Sequence, residues 1–249
     1  MGGLELLVLA ALIFAAATLY TSVGHAGASG YIAAMALVGV APDVMKPTAL
    51  MLNILVAGLA TARWTSNGRD LAWRSLLPLV VTSVPAAFIG GAIQLGNANY
   101  RMLIGFMLLA AALRFLWQPK PEAGAGEVET HVPLVAGMAA GAAVGLLSGL
   151  TGTGGGIFLS PLILLLGWAG TRQTSGLTAP FILLNSVAAL AGNVATVQKL
   201  PSELPYLVLA AMAGALVGTQ LGVNWVGTSG LQRLLGGVLL IAAGKFLLT

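Results

Sequence analysis

Within SGLTGTGGGIFLSP, residues 148–161, the glycines Gly152, Gly154, Gly155 and Gly156 stand among the hydroxyls of Ser148, Thr151 and Thr153. Glycine disfavours a continuing helix and lets a ligand approach the backbone closely. If a helix opens after the run, its unpaired N–H groups and positive dipole end face the break, a setting that suits a small anion. A weaker copy, TSVGHAGASG at 21–30, offers the backbone of Gly27, the hydroxyls of Ser22 and Ser29, and the imidazole of His25. His25 is the one ionisable side chain inside a break, and its titration range fits charge-assisted anion binding or a proton-coupled step. It is therefore the coupling candidate, while its counterpart Thr153 cannot titrate.

Asn53 and Asn185 stand inside apolar runs, one in each half of the chain. Each carboxamide brings two donors and an acceptor, enough either to line a site or to tie helices together. The substrate-binding candidates are thus Ser22, His25, Gly27, Ser29, Asn53, Thr151, Thr153, Gly154, Gly155, Gly156 and Asn185. Thr174, Ser175 and Thr178 are weaker candidates, and Gln94 and Gln220 read as interfacial. Lys46 and Arg172 follow two short apolar segments, where they either draw anions towards opposite mouths or serve topology alone.

Other chemistry finds no support. The apolar segments hold no HExxH, no carboxylate pair and no Ser-His-Asp grouping, so no enzyme, catalytic residue or bound metal is expected. GTGGG does not fit G-x-G-x-x-G, because that spacing puts Ile157 at the third glycine. The absence of cysteine removes thiolate sites and disulfides. No cofactor is expected.

The elements that must hold these residues follow from composition. Of 249 residues, 58% are hydrophobic and 7% charged, and the mean hydropathy is +0.96. A soluble domain carries about a quarter charged residues, so this is a multi-pass membrane protein with the bilayer as its first partner. The net charge of +4 comes from scattered loop residues, which excludes a nucleic-acid footprint. The first apolar run has no preceding Lys or Arg, so it reads as a retained helix rather than a signal peptide.

Helices are expected over about 4–23, from Pro47 to Arg63, over 75–95 and over 101–117, with GNAN joining the last two. Residues 31–40 are too short to span alone. After a polar linker at 118–131 the pattern restarts: a long helix, the glycine run, a short helix from Ile157, then three more helices. Residues 1–117 and 132–249 therefore read as two repeats. Gly24 pairs with Gly152, Gly39 with Gly167, Asn53 with Asn185 and Gln94 with Gln220. The fold class is all-α and polytopic: two tandem homologous halves, eight long helices plus two short half-helices preceded by glycine-rich breaks.

Charge does not settle how the halves are related. Counting cytoplasmic Lys and Arg gives seven against four for inverted halves of five crossings and the same for parallel halves of four. The inverted five-plus-five arrangement is preferred because it brings both breaks to the midplane about one pseudo-two-fold axis.

GLLSGLTGTGGGIFLSPLILLLG at 145–167, with its partner TSVGHAGASGYIAAMALVG at 21–39 and the duplicated helices, resembles the sulfite exporter TauE/SafE family, also called the 4-toluenesulfonate uptake permease family. The resemblance covers nearly the whole chain. It implies a carrier in a bacterial inner membrane for sulfite, organosulfonates or related small sulfur-containing or carboxylate anions, coupled to a proton or cation gradient. A passive anion channel or a non-transporting scaffold is the alternative, and self-association is left open. Thr21 stands where many members carry an acidic residue, and His25-Ala26-Gly27-Ala28 replaces their glycines. His25 is the substitute to test.

Overall fold

A computed structural model describes residues 2–22, 24–66, 71–116, 131–194, 200–224 and 229–248. Among them the chain forms ten helices: α1 (Gly3–Ser22), α2 (Ala28–Val38), α3 (Pro42–Ser66), α4 (Trp73–Ala92), α5 (Asn97–Leu116), α6 (Leu134–Thr151), α7 (Gly156–Leu165), α8 (Thr171–Gly192), α9 (Leu204–Asn224) and α10 (Ser229–Leu248). Long runs of Leu, Ala and Val become helices because a helix satisfies its own backbone where no water can. Leu4, Val135 and Leu165, exposed on the protein surface, belong to the face that lipid covers. Six of the helices are long and apolar enough to cross a bilayer: α1, α3, α4, α6, α8 and α9. This is a polytopic, all-helical membrane protein.

Three helix starts lie three or more residues from the sequence reading. α2 starts at Ala28, because Gly27 already takes the left-handed turn (φ 103°) that ends the break. α3 starts at Pro42 rather than Pro47, with Pro42 in the first turn where its missing N–H costs nothing. α5 begins at Asn97, so GNAN is a helix start and not a loop. The linker expected at 118–131 lies outside the described residues except for His131, whose N–H donates to the carbonyl of Trp168 at 2.9 Å.

Close backbone approaches give the helix directions. A Cβ added at Gly137, Gly141, Gly145 or Gly149 of α6 would meet Pro78, Leu79, Ser83 or Ala87 of α4 at 2.9, 2.2, 2.3 and 2.2 Å. The numbers rise together, so α4 and α6 run parallel. So do α1 and α9, where Gly214 faces the carbonyl of Phe14 and Gly218 that of Thr18. By contrast α5 and α10 are antiparallel, Gly105 lying against Leu247 and Gly236 against Leu116. α3 and α8 are also antiparallel: Gly58 lies nearest Leu183, and Gly176 lies against Trp64.

α8 runs with α4, since Asn185 bonds Ser83 and Gly192 abuts Phe88. α6 and α8 both run with α4, and residues 152–170, which hold the glycine break and α7, connect them. The helices also interleave. α4 of the first half rests on α6 and α8, and α9 of the second rests on α1 and α3.

Arg63, near the end of α3, reaches the Leu216 carbonyl and the Thr219 hydroxyl in the second half of α9. The end of α3 and the start of α9 should therefore lie at opposite membrane faces. In a chain with no native cysteine, Ser66→Cys and Ser202→Cys should react with an impermeant maleimide from opposite sides. Labelling from one side would mean parallel halves of four crossings.

Candidate glycine-break site

α6 ends at Gly152, whose left-handed turn (φ 81°) still lets its N–H donate to the Ser148 carbonyl at 2.8 Å. The chain then turns at Gly154 and Gly155 (φ 73° and 82°), and α7 opens at Gly156 with no side-chain cap. A residue with a Cβ is strained at these angles.

Buried carbonyls in this break are held by donors from the other half. Tyr100 donates its hydroxyl to the Thr151 carbonyl at 3.1 Å, and Asn53 its amide to the Thr153 carbonyl at 3.0 Å. The Gly155 carbonyl accepts the N–H groups of Phe158 and Leu159. Thr151 gives its hydroxyl proton to the Leu147 carbonyl at 2.7 Å, so the Thr153 hydroxyl, 2.9 Å away, must donate to Thr151. Among the described residues the carbonyls of Gly152 and Gly154 have no donor, and the N–H groups of Gly154, Gly155, Gly156 and Ile157 make no hydrogen bond either.

Polar side chains without partners gather at the same place. Ser148 Oγ, Ser186 Oγ and Asn53 Oδ1 are buried and unbonded among the described residues. A Cβ at Gly154 would lie 2.7 Å from both Asn53 Nδ2 and Ser186 Oγ, and one at Gly155 would lie 3.3 Å from Ser148 Cβ. Four unbonded N–H groups, the hydroxyls of Ser148 and Ser186 and the N-terminus of α7 thus lie in one neighbourhood.

The first break has the same backbone but a different filling. The left-handed glycines Gly24, Gly27 and Gly39 recur as Gly152, Gly155 and Gly167 at one constant offset. That offset puts Tyr20 where the second half has Ser148. The Tyr20 hydroxyl pairs with Ser29, and Tyr31 donates to the Ala26 carbonyl while its own oxygen lies 2.9 Å from a Cβ at Gly27. Ser22 donates to the Leu19 carbonyl within α1. Two aromatic rings therefore occupy the first break.

His25 reaches into the second half. Its Nε2 lies 2.7 Å from Ser160 Oγ, which is 3.0 Å from Thr178 Oγ1, and Thr178 donates to the Thr174 carbonyl at 2.7 Å. Each hydroxyl has one proton, so Ser160 donates to Thr178 and must accept from Nε2–H of His25. Ser160 sits one turn beyond Gly156 on α7, and Thr178 also flanks Gly156.

The two asparagines part company: Asn53 holds the break, whereas Asn185 ties α8 to α4 through Ser83 at 3.1 Å and bonds its own helix at the Phe181 carbonyl at 2.8 Å. Gln94 and Gln220 are exposed, and the Arg172 side chain lies outside the described residues. Sequence reasoning missed Ser160, Ser186, Tyr20, Tyr31 and Tyr100. Only Ser160 carried a local signal, its helical spacing from Gly156.

Residues 9–246 match the family described as sulfite exporter TauE/SafE. Over 244 residues the chain is 38% identical to the "Probable membrane transporter protein y4hK" of Sinorhizobium fredii (strain NBRC 101917 / NGR234), covering 98% of each chain. No solved structure matches it.

Crowding at the break can be separated from backbone strain. Gly167 has a similar left-handed φ of 65° but nothing within 4 Å of an added Cβ. Gly154→Ala should cost about 1–3 kcal/mol more than Gly167→Ala, because it adds overpacking to the same strain. Thermal unfolding in one detergent measures this, and equal losses would mean that the surroundings of Gly154 yield freely.

Proposed function

The chain belongs to the sulfite exporter TauE/SafE family of membrane transporters, and we propose that it is a secondary transporter of small sulfur-containing oxyanions, sulfite and organosulfonates, or of related small carboxylates. The anion binds at the second break, held by the N–H groups of Gly154, Gly155 and Gly156 with the hydroxyls of Ser148 and Ser186. One observation carries this reading: the Thr151, Thr153 and Gly155 carbonyls have donors, while the N–H groups that follow have no acceptor. Buried N–H groups left without partners cost about 1–3 kcal/mol each. An oxyanion supplies the missing acceptors and a charge that the helix dipole favours.

Residues 1–117 and 132–249 form two inverted repeats of five crossings, joined by the linker 118–131, in a bacterial inner membrane. Support comes from the antiparallel pairing of α3 with α8 and of α5 with α10, and from the recurrence of the three left-handed glycines. Symmetric halves with differently filled breaks give one anion site. Ser22, Gly27, Ser29, Thr151, Thr153 and Asn185 shape its surroundings rather than touch the anion, and Asn53 positions the break through Thr153. His25 is the coupling group: the Ser160–Thr178 chain fixes its Nε2 as a donor.

Sulfite or 4-toluenesulfonate should raise the thermal stability of the purified protein, since a ligand of the native state alone does so. Gly155→Leu crowds Phe181 and Val144, which lie 3.0 and 3.1 Å from an added Cβ. It should insert yet lose this shift and at least about 90% of proteoliposome flux. Retained shift and flux would exclude the glycine cradle. Flux in the wild type should saturate and respond to a pH gradient, whereas a channel would not saturate and a scaffold would pass nothing. In His25→Gln, which keeps a donor for Ser160, flux should persist with its pH response reduced at least about threefold; an unaltered response would remove His25 from coupling.

A further inference from the structure

Lys46 stands on the first turns of α3, where the helix dipole disfavours a cation. Only 7% of it is exposed. Its ammonium reaches instead to the end of α4, bonding the carbonyls of Gly90 (3.3 Å), Gly91 (3.0 Å) and Ile93 (3.3 Å). Two of these bonds are longer than usual for N–H···O, and all three acceptors are neutral. The charge is thus positioned by dipoles without being neutralised in contact.

Beside it lies a cavity of about 80 Å³, bordered by Asp43, Lys46, Asn97, Tyr100, Leu150 and Asn193. Its rim at Asp43, Gln94 and Asn97 is exposed. Its floor is one turn from the glycine break: Tyr100 holds the Thr151 carbonyl, and a Cβ on Gly152 would touch Lys46 Cγ at 3.0 Å. Because α3 carries Lys46 at one end and Arg63 at the other, the cavity opens on the membrane face opposite the loop after Arg63.

We propose that this cavity is a second anion site, in which the Lys46 ammonium pairs with a small oxyanion beside the ends of α4 and α6. The proposal rests on the reading of the glycine break as the inner site, and it names where the anion waits on that face. One N–H of the ammonium turns from a long carbonyl bond to the anion, and the other two keep the side chain in place. Charge-assisted bonds of this kind are about twice as strong as neutral ones, so the exchange favours occupancy. The carboxylate of Asp43 on the rim opposes it and limits affinity, as a waiting site requires.

Sulfite binding to the purified protein, followed by isothermal titration at two salt concentrations, tests this. Wild type should bind two sulfites per chain; Lys46→Met should bind one, insensitive to salt. Gly154→Val should also bind one, weakened about tenfold or more at high salt. Asp43→Asn, on the exposed rim, should tighten the salt-sensitive site about threefold with an unchanged thermal midpoint. It decides the matter alone if Lys46→Met fails to fold, and unchanged affinity there would overturn the proposal. A single site lost in Gly154→Val and intact in Lys46→Met would overturn the Lys46 site and leave the glycine reading standing. A single site lost in both would make Lys46 part of the inner site and overturn the separate one. A single site lost only in Lys46→Met would do the reverse, sinking the glycine cradle and upholding the Lys46 site. No binding by wild type would remove both.

Discussion

The hydrogen bond from Asn53 to the Thr153 carbonyl is what the rest of the site depends on. A break in the helical ladder inside a membrane exposes carbonyls and N–H groups that hydrocarbon cannot satisfy. Here a side chain of the first half takes up a carbonyl of the second, and Tyr100 does the same two residues away. Three carbonyls of the break have donors, whereas the N–H groups of Gly154 to Ile157 have no partner among the described residues, and neither has Asn53 Oδ1. The positive end of the α7 dipole favours an anion there without any formal charge in the backbone. A formal charge would bind an anion more tightly, but it would also have to stay buried when the anion leaves.

That cross-half bond requires the halves to be interleaved rather than side by side. Glycines make the interleaving possible: along α6 they repeat every fourth residue, and the backbone of α4 lies where their Cβ atoms would be. Small residues at such crossings are the usual means of close helix association in membranes. Motion between the halves would then have to move α3, α4, α8 and α9 against one another. The breaks, lying between those helices, are where such motion is felt.

Much of this was legible in the chain itself. The spacing of glycines marked both breaks and both short helices, because left-handed turns admit little else. Asn53 was found because an amide inside an apolar run has to bond something. What stayed hidden was contributed from a distance. Tyr20 and Tyr31 look like ordinary apolar-helix residues, yet they fill the first break, and Lys46 looks like a topology signal although it reaches across to α4. Loop charges were equally divided between two topologies, whereas the order of close contacts along paired helices supports the proposed inverted one. Sequence periodicity records what each helix does to itself, and the site is made of what helices do to one another.

The central claim is that the open donors of one break hold the anion. Glycine-selective 15N labelling, with amide resonances assigned by single Gly→Ala replacements, reads those donors directly during a sulfite titration. The Gly154, Gly155 and Gly156 resonances should move downfield together and saturate with one affinity, while Gly24 and Gly27 stay in place. Saturable sulfite transport by the same preparation with those three resonances unmoved would contradict the account.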